Sequence, residues 1–139
     1  MPRIRATAII IEDNKILLIH RKNDKDYYVF PGGGVEDGES TEQAVLRELM
    51  EETSISAEVI KLLEHQTYKD GTENHSYLCR YISGTPKLAD DSPEKMEMAM
   101  GKEYYEPVWI NLNRVKELDV FPAVAKEKIL QNFEGLIKL

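Results

Sequence analysis

Three glutamates, Glu48, Glu51 and Glu52, stand at positions i, i+3 and i+4 of a stretch with helical spacing, shortly after the glycine run Gly32 to Gly34. At about 100° per residue the three carboxylates fall within an arc of roughly 100°, while Val45, Leu46 and Leu49 gather on another side. One side packs and the other presents acid. As a stability device this is poor: like charges four apart repel by about 0.2–0.5 kcal/mol, and acids in a last helical turn oppose the helix dipole by about 0.3–1 kcal/mol. A divalent cation reverses both signs. Carboxylates on adjacent turns can converge on hard ions such as Mg²⁺ or Mn²⁺, which take oxygen ligands and keep several waters for a substrate phosphate to displace or share. Such an ion makes bound water a better nucleophile and neutralises charge on a phosphoryl oxygen, which is the chemistry of cutting a phosphoanhydride. The glycines permit positive φ and close approach of main chain to a ligand or ion. Taken alone, a glycine triplet reads first as a tight strand-to-helix connection.

The spacing carries more than its parts. From Gly33 the chain runs five residues to Glu39, seven more to Arg47, and then Glu48, Leu49, Met50, Glu51, Glu52, Thr53, Ser54, Ile55. This resembles the signature box of the Nudix hydrolase family, which reads G, five residues, E, seven residues, R-E-U-x-E-E-x-G-U with U a bulky aliphatic. Ser54 stands where the family has its last glycine. The resemblance implies an α/β (α+β) fold, an α/β/α sandwich around a mixed central β-sheet, and hydrolysis of a nucleoside diphosphate linked to another moiety with Mg²⁺ or Mn²⁺. Carried over position by position, Glu48, Glu51 and Glu52 are the metal-binding and catalytic carboxylates, and a carbonyl of Gly32 or Gly33 adds a ligand. Glu39 and Arg47, with Gly33, hold loop and helix together. A non-glycine at Ser54 costs about 1 kcal/mol if that position must be left-handed, and the helix is expected to end there with the metal site untouched.

Family members that act on nucleoside triphosphates often use one more carboxylate ahead of a late tryptophan-bearing strand. In "GKEYYEPVW" that places Glu103 as metal ligand or general base, with Glu94, Glu97 and Glu106 as competitors. Arg21 and Lys22, at a strand end before the glycines, are candidates for substrate phosphate. Tyr28 and Tyr105, among Tyr27, Tyr28, Tyr104 and Tyr105, are candidates to stack on a base. The later "FPAVA" is similar to the helix start "FPPAN" of MutT-type members, but has Ala125 where that type carries an asparagine used in purine recognition. The expected reaction is therefore release of nucleoside monophosphate and pyrophosphate from a nucleoside triphosphate. ADP-ribose, nucleotide sugars and dinucleoside polyphosphates stay open as substrates, and a non-catalytic nucleotide sensor is the alternative of another class. All the box acids are intact, which favours catalysis.

These groups need elements to hold them. Residues 5–20 read as a hairpin broken at Asp13 and Asn14, and residues 27–30 as a third strand running into the glycines. Ser40 with Gln43 forms a capping box that starts a helix over 40–53. Residues 57–68 and 75–83 lean to strand around a turn at 69–74. Ser92, Pro93 and Gly101 frame a short helix, residues 108–112 resume a strand, 113–118 make one helical turn, and 121–139 end the chain as an amphipathic helix.

The 139 residues accommodate one domain, taken as 1–139. A net charge of −7 disfavours binding to a nucleic-acid duplex while permitting metal-bridged contact with a small nucleotide. One cysteine, Cys79, allows no internal disulfide and no thiol cluster for zinc, so any metal is expected to be held by oxygen. No apolar run approaches membrane-spanning length and the first residues do not read as an export signal, so a cytoplasmic, membrane-free protein is expected. Nothing in the pattern marks an interface, and a homodimer is left open.

Overall fold

The computed structural model describes residues 3–88, 92–101 and 103–131. β1 (Ile4–Glu12) and β2 (Lys15–Lys22) form the expected hairpin. Asp13 and Asn14 take φ of 51° and 63°, the left-handed pair that a two-residue hairpin turn needs and that short polar side chains tolerate. β3 (Asp26–Val29) follows, and then the glycines form a strand of their own, β4 (Gly32–Gly34). β4 pairs antiparallel with β1, Arg5 opposite Gly34 and Thr7 opposite Gly32. The sequence reading had this segment as a loop. Without side chains a glycine run gives no hydrophobic alternation, so its strand character comes entirely from pairing with β1.

α1 (Thr41–Thr53) starts at the predicted capping box: Ser40 accepts from the Gln43 N–H at 3.0 Å, and Gln43 accepts from the Ser40 N–H at 2.9 Å. Ser54 ends it in the left-handed conformation, φ 61° and ψ 19°. Its hydroxyl donates to the Lys87 carbonyl at 2.8 Å, a bond glycine could not make, which offsets part of the conformational cost. β5 (Ser56–Thr67) and β6 (Glu73–Ser83) pair antiparallel across the predicted turn. α2 (Pro93–Ala99) has Ser92 as cap and Pro93 in its first turn. β7 (Tyr104–Asn111) begins four residues earlier than expected, because it pairs with β2 along its whole length, from Lys22 opposite Tyr104 to Lys15 opposite Asn111. A 3-10 helix (Leu112–Glu117), β8 (Val120–Phe121) and α3 (Ala123–Gln131) complete the described chain. The part of the last predicted helix beyond residue 131 lies outside the described residues.

The strands make one mixed sheet in the order β5-β6-β1-β2-β3-β8, with β4 paired to β1 and β7 to β2. β1 runs parallel to β6 and is buried on both faces from Ala6 to Ile10. Its alternation assigns the two layers. Ala6, Ala8 and Ile10, with Leu17 of β2, pack on Ala44, Val45 and Leu49 of α1. Ile9, with Ile16 and Leu18, packs toward Ala125 and Ile129 of α3. Helices thus cover opposite faces of a central mixed sheet. β2 meets β1 only at the hairpin end, at Ile11–Ile16 and Glu12–Lys15, and then departs to pair with β3 and β7. That divergence leaves a cleft between the β1–β4 edge and the β2–β3 edge.

Candidate active site

The cleft is where the box glutamates point. A cavity of about 240 Å³ is lined by Gly32, Gly33 and Gly34 of β4, by Glu48 and Glu52 of α1, and by Glu94 of α2. Three arginines complete it: Arg3 before β1, Arg5 on β1 and Arg21 on β2. A larger cavity of about 540 Å³ adjoins it, sharing Arg5, Arg21, Val29, Gly32 and Glu52. Its other walls include Phe30, Phe121 and Val124, with Gln66 at the far end of β5 and Tyr68 just beyond it.

Glu52 is the deepest of the three box acids, only 9 % exposed. Its Oε1 accepts the Gly32 N–H at 2.8 Å. Burial pushes its carboxyl well above the usual carboxylate range; the Gly32 bond and Arg5 pull the other way, and Glu48 and Glu94 add to the rise. Glu48, with a side chain 15 % exposed, is also raised by burial, against the pull of Arg47 and with a push from Glu51 and Glu94. A Cβ on Gly33 would lie 2.6 Å from the Glu48 carboxyl carbon. Glycine there leaves the carboxylate the space it occupies. A buried and a half-buried carboxylate beside each other, both resisting ionisation, are an arrangement that folding alone does not favour.

Arg47 organises the rest of the box. Its guanidinium donates to both Glu39 oxygens, at 2.8 and 3.0 Å, to the Gly34 carbonyl at 3.0 Å and to Glu48 at 2.9 Å. The Glu39 fork holds that carboxyl below its usual range. This clamp joins α1 to β4 as expected of Glu39 and Arg47. Glu51 takes the outer position. Its side chain is 43 % exposed, lies 3.4 Å from Arg47, and does not line the cavity. Among the described residues no three His, Cys, Asp or Glu side chains form a finished ligand cluster. The donor set that exists is the two carboxylates of Glu48 and Glu52 beside the Gly32–Gly34 main chain, which fits Mg²⁺, an ion usually held by one or two carboxylates plus waters and substrate phosphates.

Glu103 is turned elsewhere. It pairs with Arg21, lies against the Tyr105 hydroxyl, and accepts from Asn23 at 3.4 Å. Tyr105 and then Arg21 hold its carboxyl below the usual range. It is a satisfied anion, placed to orient Arg21 and not to meet Glu48 and Glu52. Glu94, a competitor at the sequence level, is the loop acid that faces them, and its Oε2 is buried without a hydrogen-bond partner. The polar interval could not be registered by spacing alone, because α2 folds its start back over the site.

Strand alternation sorts the remaining candidates. Arg21 lines the cleft, and its Nε is buried without a hydrogen-bond partner. Lys22 therefore faces away, 3.8 Å from Asp26 and outside both cavities. Val29 faces the cleft, so Tyr28 does not; it stacks on His20 at 4.5 Å. Tyr105 lines the smaller cavity, but its ring is engaged by Arg21 at 4.6 Å and is not presented to a base. The sequence reading passed over Arg3 and Arg5. Their i, i+2 spacing in "RIRAT" puts both on one side of the chain as it enters β1, but only the fold shows that this side borders the glutamates. Cys79 is buried, its thiol pushed up to about 12, and it plays no part in the cleft.

Comparison with known proteins agrees with the geometry. Residues 1–133 match the family profile described as the NUDIX domain. An ADP-ribose pyrophosphatase of Methanocaldococcus jannaschii is 40 % identical over 67 % of this chain and 59 % of its own length. An 8-oxo-dGTP diphosphatase of Escherichia coli is 41 % identical over 42 % of this chain and 47 % of its own. The matched stretches thus span less than two thirds of either relative. A NUDIX hydrolase structure from Nitrosomonas europaea superposes with a TM-score of 0.71 at 23 % identity, covering 97 % of this chain and 90 % of that one, a likeness of fold. No helix among the described residues is long and apolar enough to cross a membrane.

Proposed function

The chain belongs to the Nudix hydrolase family, and on that footing we propose that it is a divalent-cation-dependent pyrophosphohydrolase of nucleoside triphosphates, yielding nucleoside monophosphate and pyrophosphate. The observation that carries this reading is buried Glu52 beside half-buried Glu48, facing a glycine strand and ringed by arginines. Glu48 and Glu52 would hold Mg²⁺ or Mn²⁺, with a carbonyl of the Gly32–Gly33 segment as a further donor. Bound there, the cation supplies an activated water and neutralises charge on the phosphoryl oxygens.

The chain's own groups do the remainder. Arg3, Arg5 and Arg21, which line the cavity, take non-bridging phosphate oxygens, charge-assisted bonds that fix the tail. Glu94, which lines the cavity with Glu48 and Glu52, accepts the proton of the attacking water. Glu51 supports the site from its rim. The small polar cavity suits phosphates, and the larger one, with its apolar walls and the Gln66 amide, suits a single nucleoside. One organic end and one phosphate tail describe a nucleoside triphosphate better than ADP-ribose, which has an organic group at both ends. The 40 % identity to an ADP-ribose pyrophosphatase keeps that substrate as the second reading.

Phosphate and pyrophosphate release from a panel of nucleoside triphosphates, ADP-ribose and nucleotide sugars at fixed Mg²⁺ tests the proposal. Triphosphates should turn over fastest, with pyrophosphate as product. Preference for ADP-ribose would transfer the assignment to the second reading, and no turnover of any member would point to a sensor. In the same assay Glu94→Gln should lose about 10²- to 10⁴-fold, as expected for a general base, while Glu103→Gln should lose far less.

The glycines give a paired prediction. In Gly33→Ala the clashing group is the far end of the Glu48 side chain, which can swing aside. That variant should fold normally and lose activity by up to about a hundredfold through the displaced carboxylate. In Gly32→Ala the new Cβ meets the Ala6 carbonyl oxygen at 2.3 Å, a fixed backbone atom, so thermal unfolding should show a loss of about 1–3 kcal/mol.

A further inference from the structure

α2 is a lightly rooted element. Its seven residues include no buried side chain, and a helix so short does not persist in water without tertiary contacts. Contacts that hold it include the cap from buried Ser92, which accepts the Lys95 N–H at 3.1 Å, and the packing of Met98 beside Ile19, Leu88 and Tyr105. Another is polar: the Tyr105 hydroxyl lies 2.8 Å from Glu97 Oε2. The same hydroxyl lies 3.0 Å from Arg21 Nη2 and against Glu103, to which Arg21 Nη2 also donates. A phenol has one proton to give. Arg21 serves both the Glu103 carboxylate and a lone pair of the Tyr105 oxygen, and the one Tyr105 proton is shared between the two carboxylate oxygens its hydroxyl meets, on Glu103 and Glu97. Glu94 and Glu97 are three residues apart and share a helix face. Where Glu97 is held, Glu94 is placed, and Glu94 needs holding because Glu48 and Glu52 repel it.

We propose that Tyr105 is a positioning residue whose hydroxyl ties the cleft-facing Arg21 to Glu97 of α2 and so keeps Glu94 over the Glu48–Glu52 pair. The inference rests on the pyrophosphohydrolase reading and on the role given there to Glu94. It makes α2 a part of the site that answers to the phosphate-binding side of the cleft.

Steady-state kinetics on Tyr105→Phe, Glu97→Ala and Glu97→Gln test it, each with Mg²⁺ and a triphosphate the wild type accepts. Phenylalanine keeps the ring, its packing and its contact with Arg21, so the hydroxyl alone is removed. Tyr105→Phe and Glu97→Ala should lower kcat by about 10- to 100-fold, as loss of supporting partners around a site does, with KM changed much less. Glu97→Gln, whose amide oxygen still accepts, should stay within a few-fold of wild type. Hydrogen exchange at the amides of residues 93–99 should quicken in Tyr105→Phe. The deciding arm is a cycle in the Glu94→Gln background, where Tyr105→Phe should cost nothing further. An unchanged kcat in Tyr105→Phe, an equal penalty with and without Glu94, or full activity of Glu94→Gln would each overturn the proposal. Glu52→Gln run alongside reads the parent proposal: retained turnover there removes it, whereas loss there with an unchanged Tyr105→Phe removes only the positioning role.

Discussion

Replacing Glu52 with glutamine is expected to lower triphosphate turnover by at least about a hundredfold, the scale of losing one preorganised electrostatic group, while raising the thermal stability of the metal-free protein at neutral pH. The two effects have one origin. A carboxylate 9 % exposed, beside Glu48 and within reach of Glu94, is costly to ionise in the absence of a cation. Glutamine has nearly the same shape, and its amide oxygen can still accept the Gly32 N–H that Glu52 holds at 2.8 Å. The substitution therefore removes charge without removing packing or that bond. Each kcal/mol recovered should raise the melting temperature by a few degrees in a domain of this size. A stabilised but inactive variant marks a residue retained for function. Thermal unfolding in EDTA together with the hydrolysis assay checks both halves; a Glu52→Gln protein that is both active and less stable would show that the carboxylate serves the fold.

The same burial predicts how stability follows pH. Glu52 and Glu48 have folded pKa values above their ordinary value of 4.5. Between that value and the raised ones the folded state holds protons that the unfolded chain has released. Unfolding free energy therefore falls with rising pH, by up to about 1.4 kcal/mol per pH unit for each such group. The stabilisation is complete below the unfolded pKa and is lost as pH climbs through the folded pKa. Glu39 and Glu103, held low by their partners, act in the opposite sense: their contribution is present above 4.5 and disappears as pH drops through their lowered values. The two sets act in different windows, so in EDTA a decline that sets in just above 4.5 belongs to Glu48 and Glu52, the raised Cys79 thiol adding its own decline only above 9. Saturating Mg²⁺ should flatten or reverse it, because the ion binds the ionised carboxylates of the folded state only. Denaturant titrations across pH, with and without Mg²⁺ and in Glu52→Gln, measure the slope. A slope unaffected by either the ion or the substitution would assign it to other groups.

Local chemistry was readable in the sequence wherever neighbours in the chain decide the outcome. Asp13 and Asn14 turn as short polar residues do, and Ser40 with Gln43 caps α1 in the expected reciprocal form. Ser54 closes the helix in the conformation the missing glycine would have taken, supported by its own hydroxyl. The convergence of Glu48 and Glu52 followed from a helical repeat. What stayed hidden depends on which distant elements meet. The wheel put Glu51 on the same arc as Glu48 and Glu52, but Arg47, bound to Glu39 and Gly34, stands on its side and leaves it at the rim. Arg3 and Arg5 carried no signal in the sequence, because only the pairing of β4 with β1 brings Gly32–Gly34, and with them α1, beside that face. Glu94, and not Glu103, faces the box acids for a similar reason: Arg21, 82 residues from Glu103 in sequence, captures it and leaves the inward position to α2.

The most direct test of the central claim, that Glu48 and Glu52 form the seat of a divalent cation, is an electron-paramagnetic-resonance titration of Mn²⁺ into the protein. It should be run above the raised carboxyl range, on wild type, Glu48→Gln, Glu52→Gln and Glu103→Gln. Wild type and Glu103→Gln should deplete the free-ion signal along the same saturable curve, while Glu48→Gln and Glu52→Gln bind at least about tenfold more weakly. Equal binding by wild type and both box variants, or loss of binding in Glu103→Gln alone, would contradict the account and return the metal to the loop acid that the structure shows bound to Arg21.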